Sequence, residues 1–115
     1  MSTFEQIELK VVQWANDRQI IENSTPLAQA RKTLEEVGEL LEAASAIQAL
    51  GWSDPRFGAY YDAYKDAVGD VIVTLLVGAA TTGIDLTECL EMAYEQIKDR
   101  KGTLRADGVF VKESA

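Results

Sequence analysis

Two groups of acidic residues carry the strongest indication of chemistry in this sequence. Glu35, Glu36 and Glu39 form the first group, and Asp66 and Asp70 form the second. On an α-helix the three glutamates would fall within an arc of roughly 100°, and the two aspartates would lie one above the other on consecutive turns. The carboxylates can therefore converge if the two helices pack face to face.

The remaining composition narrows the chemistry that these carboxylates could support. The chain contains no histidine and one cysteine, Cys89. It therefore lacks the ligands of an ordinary zinc site and the imidazole of a histidine-based catalytic triad. The Glu-x-x-His pairs of a di-iron helical bundle are disfavoured for the same reason. Carboxylate oxygens remain, and these hard ligands suit Mg²⁺ or Mn²⁺.

Length and charge limit the class of protein further. A chain of 115 residues can form one domain with its own core, and we expect a single domain over residues 1–115. The net charge of −8 argues against binding to a nucleic acid polymer, because such proteins need cationic surface to displace counterions. A single cysteine and the lack of a secretion signal predict a cytoplasmic protein. The longest apolar run, Val71 to Ala80, is too short to span a bilayer, so we expect no membrane partner.

Capping residues, glycines and prolines predict an all-α fold. We expect a four-helix bundle with a short irregular C-terminal tail from about residue 102. The segment from Asp17 to Ser24 is expected to be irregular, and Gly102 is expected to be the C′ residue of the last helix. The apolar stripe of the second predicted helix consists of Leu34, Val37, Leu41 and Ala44. The predicted helices cover Phe4 to about Asn16, Pro26 to about Leu50, about Ala59 to Thr82, and Leu86 towards Gly102.

The third predicted helix places its aspartates in line with apolar residues. Asp62, Asp66 and Asp70 share an arc of roughly 80°, and apolar residues continue the same stripe towards the end of the helix. From Val71 to Ala80 the helix is apolar nearly all round, which predicts burial within the bundle or against another subunit. Carboxylates near an interior need compensation, and metal binding would supply it. The alternative is a solvated acidic face, the usual role of glutamate runs on helices.

Three segments of the chain carry a family resemblance. They are KTLEEVGEL at residues 32–40, DAVGDVIV at 66–73 and AYEQIKDRKG at 93–102. Together they resemble the MazG-like all-α nucleoside triphosphate pyrophosphohydrolases, from about Trp14 to Lys112. The resemblance implies a Mg²⁺-dependent enzyme, with Mn²⁺ as an alternative, that cleaves a nucleoside triphosphate to a monophosphate and pyrophosphate. It also implies a homodimer or a homotetramer.

The resemblance assigns the acidic residues to metal binding. Glu36 and Glu39 match the family's E-x-x-E motif on one helix, and Asp70 matches the end of its E-x-x-D motif on the next. The chain departs from the second motif, because Ala67 stands where the family has glutamate. Asp66, one residue earlier, is the candidate to replace that ligand.

Further candidates would contact the attacking water or the substrate. Glu35 is the catalytic candidate, either orienting and deprotonating water or binding a metal. Trp14 could stack on a base, although a tryptophan on an apolar helical stripe is more often part of the core. Cations near the end of the last helix could instead balance its dipole. The basic residues that could contact the triphosphate are Lys32, Lys98, Arg100 and Lys101.

A different class of function remains open at this point. The same acidic helices could form a non-catalytic interaction module for a basic partner, or could bind a nucleotide without turnover. Release of pyrophosphate from nucleoside triphosphates would separate these interpretations from the enzymatic one.

Overall fold

The chain folds into five helices and one short β-hairpin over residues 2–113, the part described by this computed structural model. These residues form two compact units, which divide between Ile84 and Asp85. The all-α prediction is confirmed, and the single-domain organisation stays a prediction. The first unit contains α1 (Phe4–Asp17), α2 (Ile20–Asn23), α3 (Pro26–Leu50) and α4 (Phe57–Thr82). The second contains α5 (Leu86–Ile97), β1 (Gly102–Leu104) and β2 (Phe110–Lys112).

The long helices of the first unit begin and end at residues suited to those positions. Thr3 caps α1, because its hydroxyl accepts a hydrogen bond from the Gln6 amide at 3.2 Å while the Gln6 side chain accepts one from the Thr3 amide at 3.0 Å. Thr25 caps α3. Gly51 and Gly83, both with positive φ, follow the last residues of α3 and α4.

The first unit is built on the pairing of α3 with α4, and α1 and α2 also pack against α4. Small side chains dominate its core: Ala43 of α3 and Ala67 and Ala79 of α4 are each at most 7% exposed. Leu76 and Val77 of α4 are the larger buried apolar residues. Because alanines allow close approach of helix backbones, polar groups on the facing sides of α3 and α4 come within reach of one another.

Large apolar side chains on the other side of α3 are exposed. Leu27, Leu34 and Leu41 are 60%, 72% and 63% exposed. Leu34 and Leu41 belong to the apolar stripe predicted for this helix, so these two residues of the stripe are not buried against α4. The side of α3 that is buried carries Glu36 and Ala43 instead.

The second unit contains α5 and the hairpin. Asp85 caps α5 by accepting a hydrogen bond from a backbone amide of the first turn. The strands β1 and β2 pair antiparallel, with Gly102 opposite Lys112. Gly102 has no room for a side chain, because a Cβ at this position would overlap the Val111 carbonyl oxygen.

Three details of the predicted fold are wrong. The segment from Asp17 to Ser24 contains the one-turn helix α2 rather than irregular chain. The last helix ends at Ile97, so Gly102 is not its C′ residue but opens β1. The tail from about residue 102 is a hairpin and is not irregular. Elements of three or four residues are too short to show a helical or an alternating pattern in the sequence.

Within residues 2–113, no single helix is both long enough and apolar enough to cross a membrane. Only α4 and α5 counted together pass that test, by length and composition alone.

Candidate metal centre

Three carboxylates meet at the interface of α3 and α4. Glu36 and Glu39 lie one turn apart on α3, and Asp70 lies on α4. One carboxylate oxygen from each of these residues lies within 4.8 Å of the other two. The structure therefore brings together three of the predicted ligands, which we call the carboxylate cluster. Their role in metal binding stays a prediction.

Glu36 is the buried member of the carboxylate cluster. It is 9% exposed, and its Oε1 atom lies 3.4 Å from Nζ of Lys32. Its other oxygen, Oε2, is buried without a hydrogen-bond partner. Such an atom is costly, because burial removes the water that would otherwise solvate it. A cation held by the cluster would supply the missing interaction.

The pKa values of the other two carboxyl groups reflect crowded negative charge. The pKa of Glu39 is raised chiefly by hydrogen bonding to the Glu36 carboxyl and then by repulsion from its charge. When both groups are ionised they can only accept hydrogen bonds, so no bond joins them and Glu36 Oε2 is left without a partner. Burial raises the pKa of Asp70, and the charges of Asp66 and Glu36 raise it further. The cluster therefore favours a bound proton or cation.

The donor set fits a hard divalent cation. All three groups offer carboxylate oxygens, the ligands that Mg²⁺ and Mn²⁺ prefer. Two oxygens bound to one Mg²⁺ at about 2.1 Å lie no more than about 4.2 Å apart. Since the oxygens of the cluster already lie within 4.8 Å, modest side-chain rotation would close the site.

Asp66, the proposed replacement ligand, lies beside the carboxylate cluster and not within it. It precedes Asp70 by one turn of α4 and is close enough to raise the pKa of Asp70. Asp66, Glu39 and Ala67 line one cavity of about 230 Å³. Ala67 itself is 4% exposed, so the position at which the family carries glutamate lies on the buried side of α4. The ligand role of Asp66 stays a prediction.

Lys32 and Glu35 form the outer edge of the site. Nζ of Lys32 lies 3.3 Å from Oε2 of Glu35 and 3.4 Å from Oε1 of Glu36. The pKa of Lys32 is raised, first by the hydrogen bond to Glu35 and then by the one to Glu36. The Glu35 side chain is 62% exposed and can therefore reach solvent water. This access is what its predicted catalytic role requires.

A cavity of about 710 Å³ has Lys32 in its wall, the residue that also contacts Glu36 of the carboxylate cluster. Trp14 and Arg18 of α1 line the same cavity, with the Arg18 guanidinium 4.6 Å from the centre of the Trp14 ring. Trp14 is 46% exposed, so its ring is not enclosed in the core. Val73 and Val77 of α4 complete an apolar wall. A space of this volume suits a small organic ligand.

Arg18 is a candidate functional residue that the sequence pattern did not single out. Its guanidinium donates a hydrogen bond to the Trp14 carbonyl oxygen at 3.0 Å and covers the Trp14 ring. The spacing of four residues between an aromatic and a cationic side chain is the signal that could have revealed this pair. Asn23 and Gln29, which also line the cavity, carry no comparable signal.

The remaining predicted substrate contacts belong to the second unit. Lys98, Arg100 and Lys101 lie between the end of α5 and the start of β1. Nζ of Lys98 lies 2.8 Å from Oε2 of Glu95. Contact between these basic residues and a triphosphate stays a prediction.

Comparison with solved structures finds a protein of the same fold. The chain is similar to a MazG-like pyrophosphohydrolase of cyanophage S-2L, solved with dGDP and three catalytic Mn²⁺ ions per active site. The TM-score is 0.64 at 20% sequence identity, and the match covers 99% of this chain and 100% of the cyanophage chain. The chain therefore has an all-α MazG-like fold, as the sequence resemblance predicts.

Comparison with known sequences finds a relative in a second phage. The chain is 32% identical over 85 residues to an uncharacterized 18.2 kDa protein from the rep–hol intergenic region of Haemophilus phage HP1. The match covers 74% of this chain and 45% of that protein, so the chain spans less than half the length of its relative. No family model matches the sequence.

Proposed function

We propose that this protein is a metal-dependent pyrophosphohydrolase that cleaves a ribo- or deoxyribonucleoside triphosphate to a monophosphate and pyrophosphate. The observation that carries the proposal is the carboxylate cluster, with a buried and unpartnered Glu36 Oε2. Lys32 connects this cluster to a cavity of about 710 Å³. The fold shared with a MazG-like pyrophosphohydrolase supports the same function.

Glu36, Glu39 and Asp70 would hold the Mg²⁺ or Mn²⁺ that the reaction needs. When bound, such an ion neutralises charge on the phosphate oxygens. Hydrolysis consumes one water as the anhydride bond between the α- and β-phosphates breaks. Glu35 is adjacent to Glu36 in the sequence and its side chain is exposed to solvent. In this proposal Glu35 would orient that water and accept its proton.

Lys32 and Trp14 would place the substrate across the site. Lys32 borders both the carboxylate cluster and the large cavity, so its ammonium can contact a phosphate while the nucleoside enters the cavity. The half-exposed ring of Trp14 offers a face for stacking on the base. Arg18, whose guanidinium lies 4.6 Å from the centre of the Trp14 ring, would hold the ring in place or contact a phosphate.

We also propose that the protein assembles as at least a homodimer. Leu27, Leu34 and Leu41 leave an apolar stripe on α3 exposed. No large side chain among the described residues is fully buried, so the core of the first unit is small. Burial of such a stripe against a second copy would supply apolar burial that the chain lacks by itself.

The decisive experiment measures the products formed from a mixture of nucleoside triphosphates with Mg²⁺ or Mn²⁺. We expect pyrophosphate and monophosphates, with no orthophosphate. Glu39→Gln and Asp70→Asn should abolish turnover while leaving helical content intact. Asp62→Asn is the matched control, because it removes the same charge from α4 outside the carboxylate cluster and should leave turnover unchanged.

Intact triphosphates after incubation with ample metal would refute the enzymatic proposal. Binding of nucleotide and metal without turnover would instead support a non-catalytic nucleotide-binding protein. Folded Glu39→Gln and Asp70→Asn proteins with wild-type rates would remove both residues from the metal centre.

A further inference from the structure

Two threonine hydroxyls join α3 to α4 close to the carboxylate cluster. Oγ1 of Thr33 lies 2.8 Å from Oγ1 of Thr74, and the Thr74 hydroxyl donates to the Val71 carbonyl oxygen at 2.7 Å. The Thr74 proton is committed to Val71, and the Thr33 hydroxyl has two acceptors within reach, the Gln29 carbonyl oxygen of its own helix at 3.0 Å and Thr74 Oγ1 at 2.8 Å. With its proton on the shorter of these contacts, Thr33 is the donor in the bond between the helices. Thr74 is 6% exposed, so this bond is sheltered from water. Within residues 2–113 it is the only side-chain hydrogen bond that links α3 with α4.

The positions that meet across the two helices define how they are aligned. Residues later in α3 face residues earlier in α4, so the helices run antiparallel. Thr33 precedes Glu36 by about one turn, and Thr74 follows Asp70 by about one turn. The hydroxyl pair therefore lies in the same interface as the carboxylate cluster, about one helical turn away from it. The facing pairs are Gln29 with Gly78, Thr33 with Thr74, and Glu36 with Asp70.

We propose that Thr33 and Thr74 are positioning residues that fix the register of α3 against α4 and so keep Glu36 and Asp70 close enough to share a metal ion. The inference rests on the proposed function, since it assigns the hydroxyl pair a role in the same metal centre. A slip of one helical turn displaces facing residues by about 5.4 Å. That displacement exceeds the 4.8 Å within which the oxygens of the carboxylate cluster now lie.

The other contacts in this interface do not select a register in the same way. Ala43, Ala67 and Ala79 are small and apolar, and burial of apolar surface is not directional. The carboxylates repel one another, and this repulsion opposes the alignment that brings them together. A directional hydrogen bond has a narrow range of good geometry, so it favours one alignment over its neighbours.

The test measures binding of Mn²⁺ alone, by titration calorimetry or by the electron paramagnetic resonance signal of the free ion. Valine replaces threonine with the same shape and no hydroxyl. We expect Thr33→Val and Thr74→Val each to weaken Mn²⁺ binding by about threefold to tenfold, in line with the loss of one neutral hydrogen bond. The double variant should lose little more than either single variant, because both substitutions remove the same bond.

Two further variants separate positioning from general stability. Thr33→Ser keeps the hydroxyl and should retain wild-type affinity. Thr81→Val is the matched control, because the Thr81 hydroxyl donates to the Val77 carbonyl within α4 at 2.8 Å and makes no bond to α3. It should lower the melting temperature without changing the Mn²⁺ midpoint. If the valine variants fail to fold, Thr33→Ser and Thr33→Ala, which differ in the hydroxyl, provide the same comparison.

The outcomes distinguish this inference from the proposed function. Wild-type protein that binds Mn²⁺, together with folded Thr33→Val and Thr74→Val variants that bind it equally well, would overturn the positioning role alone. Wild-type protein that binds no Mn²⁺ would overturn both proposals. If Thr81→Val weakens Mn²⁺ binding as much as Thr33→Val does, the positioning role is also overturned, because a general loss of stability would then explain both results.

Discussion

Replacing Asp70 with asparagine should affect the stability of the protein in opposite directions with and without metal. Burial and the charges of Asp66 and Glu36 raise the pKa of Asp70 in the folded chain. The ionised carboxylate is therefore less favourable in the folded state than in the unfolded state, and this lowers stability at neutral pH. Asparagine removes the charge and keeps the shape. We expect metal-free Asp70→Asn protein to be at least as stable as the wild type.

With metal present, the same substitution should remove most of the stabilisation that Mn²⁺ binding gives to the folded protein. At a free Mn²⁺ concentration of about 100 times its Kd, binding to the folded chain adds about 2.7 kcal/mol. Loss of a direct ligand should weaken binding at least about a hundredfold, the upper end of what loss of a supporting residue costs. The same Mn²⁺ concentration then adds only about 0.4 kcal/mol. At about 4 °C per kcal/mol, the rise in Tm falls from about 11 °C to about 2 °C.

Thermal unfolding followed by circular dichroism, in chelator and in Mn²⁺, measures both effects in one experiment. Asp62→Asn serves as the charge-matched control and should keep the full rise in Tm. If Asp70→Asn keeps that rise too, Asp70 is not a ligand. If Asp70→Asn markedly lowers the Tm of the metal-free protein, the carboxylate stabilises the fold, and the reasoning from its raised pKa is wrong.

Four further predictions test other parts of the site. Because the pKa values of Glu39 and Asp70 are raised, lowering the pH from about 7 towards the usual carboxyl range should stabilise the metal-free protein and weaken Mn²⁺ binding. Thermal unfolding and Mn²⁺ titration at several pH values measure these two effects. Trp14→Ala should raise KM about tenfold or more with little change in kcat, in line with one lost stacking contact, and a change in kcat alone would contradict the stacking role. Asp66→Asn should raise the Mg²⁺ concentration at half-maximal activity by about tenfold, equivalent to about 1.4 kcal/mol, and adding Ala67→Glu should recover part of the lost affinity. An unchanged midpoint would exclude Asp66 as a ligand. Light scattering at micromolar concentration should show a dimer or a tetramer, and a fully active monomer would refute the assembly proposal.

The sequence predicts those parts of the structure that depend on neighbouring residues. Thr25 and Gly51 mark the ends of α3 because capping and positive φ are local properties, and the structure places both as expected. The convergence of Glu36, Glu39 and Asp70 follows from helical periodicity once two helices pack together.

The parts that the sequence does not predict depend on packing between elements. Leu34 and Leu41 are large apolar residues of α3, yet both are exposed, because α3 and α4 approach each other through alanines. Hydrophobicity ranks side chains by their affinity for an interior and does not identify the surface that they will contact. The sequence does not predict the hairpin for a related reason, since the close approach at Gly102 involves a strand several residues further along the chain.

Lys32 connects the charge balance of the site with its proposed chemistry. The three members of the carboxylate cluster bring three negative charges when ionised, and Lys32, paired with Glu36, offsets one of them. One divalent cation would offset the remaining two, so that a triphosphate could approach without strong repulsion. Because Lys32 also lies in the wall of the large cavity, it would then be free to exchange part of its contact with Glu36 for a phosphate oxygen. Lys32→Met should therefore weaken nucleotide binding even where Mn²⁺ binding is kept, and equal affinity for nucleotide in both proteins would show that Lys32 serves only to neutralise the carboxylates.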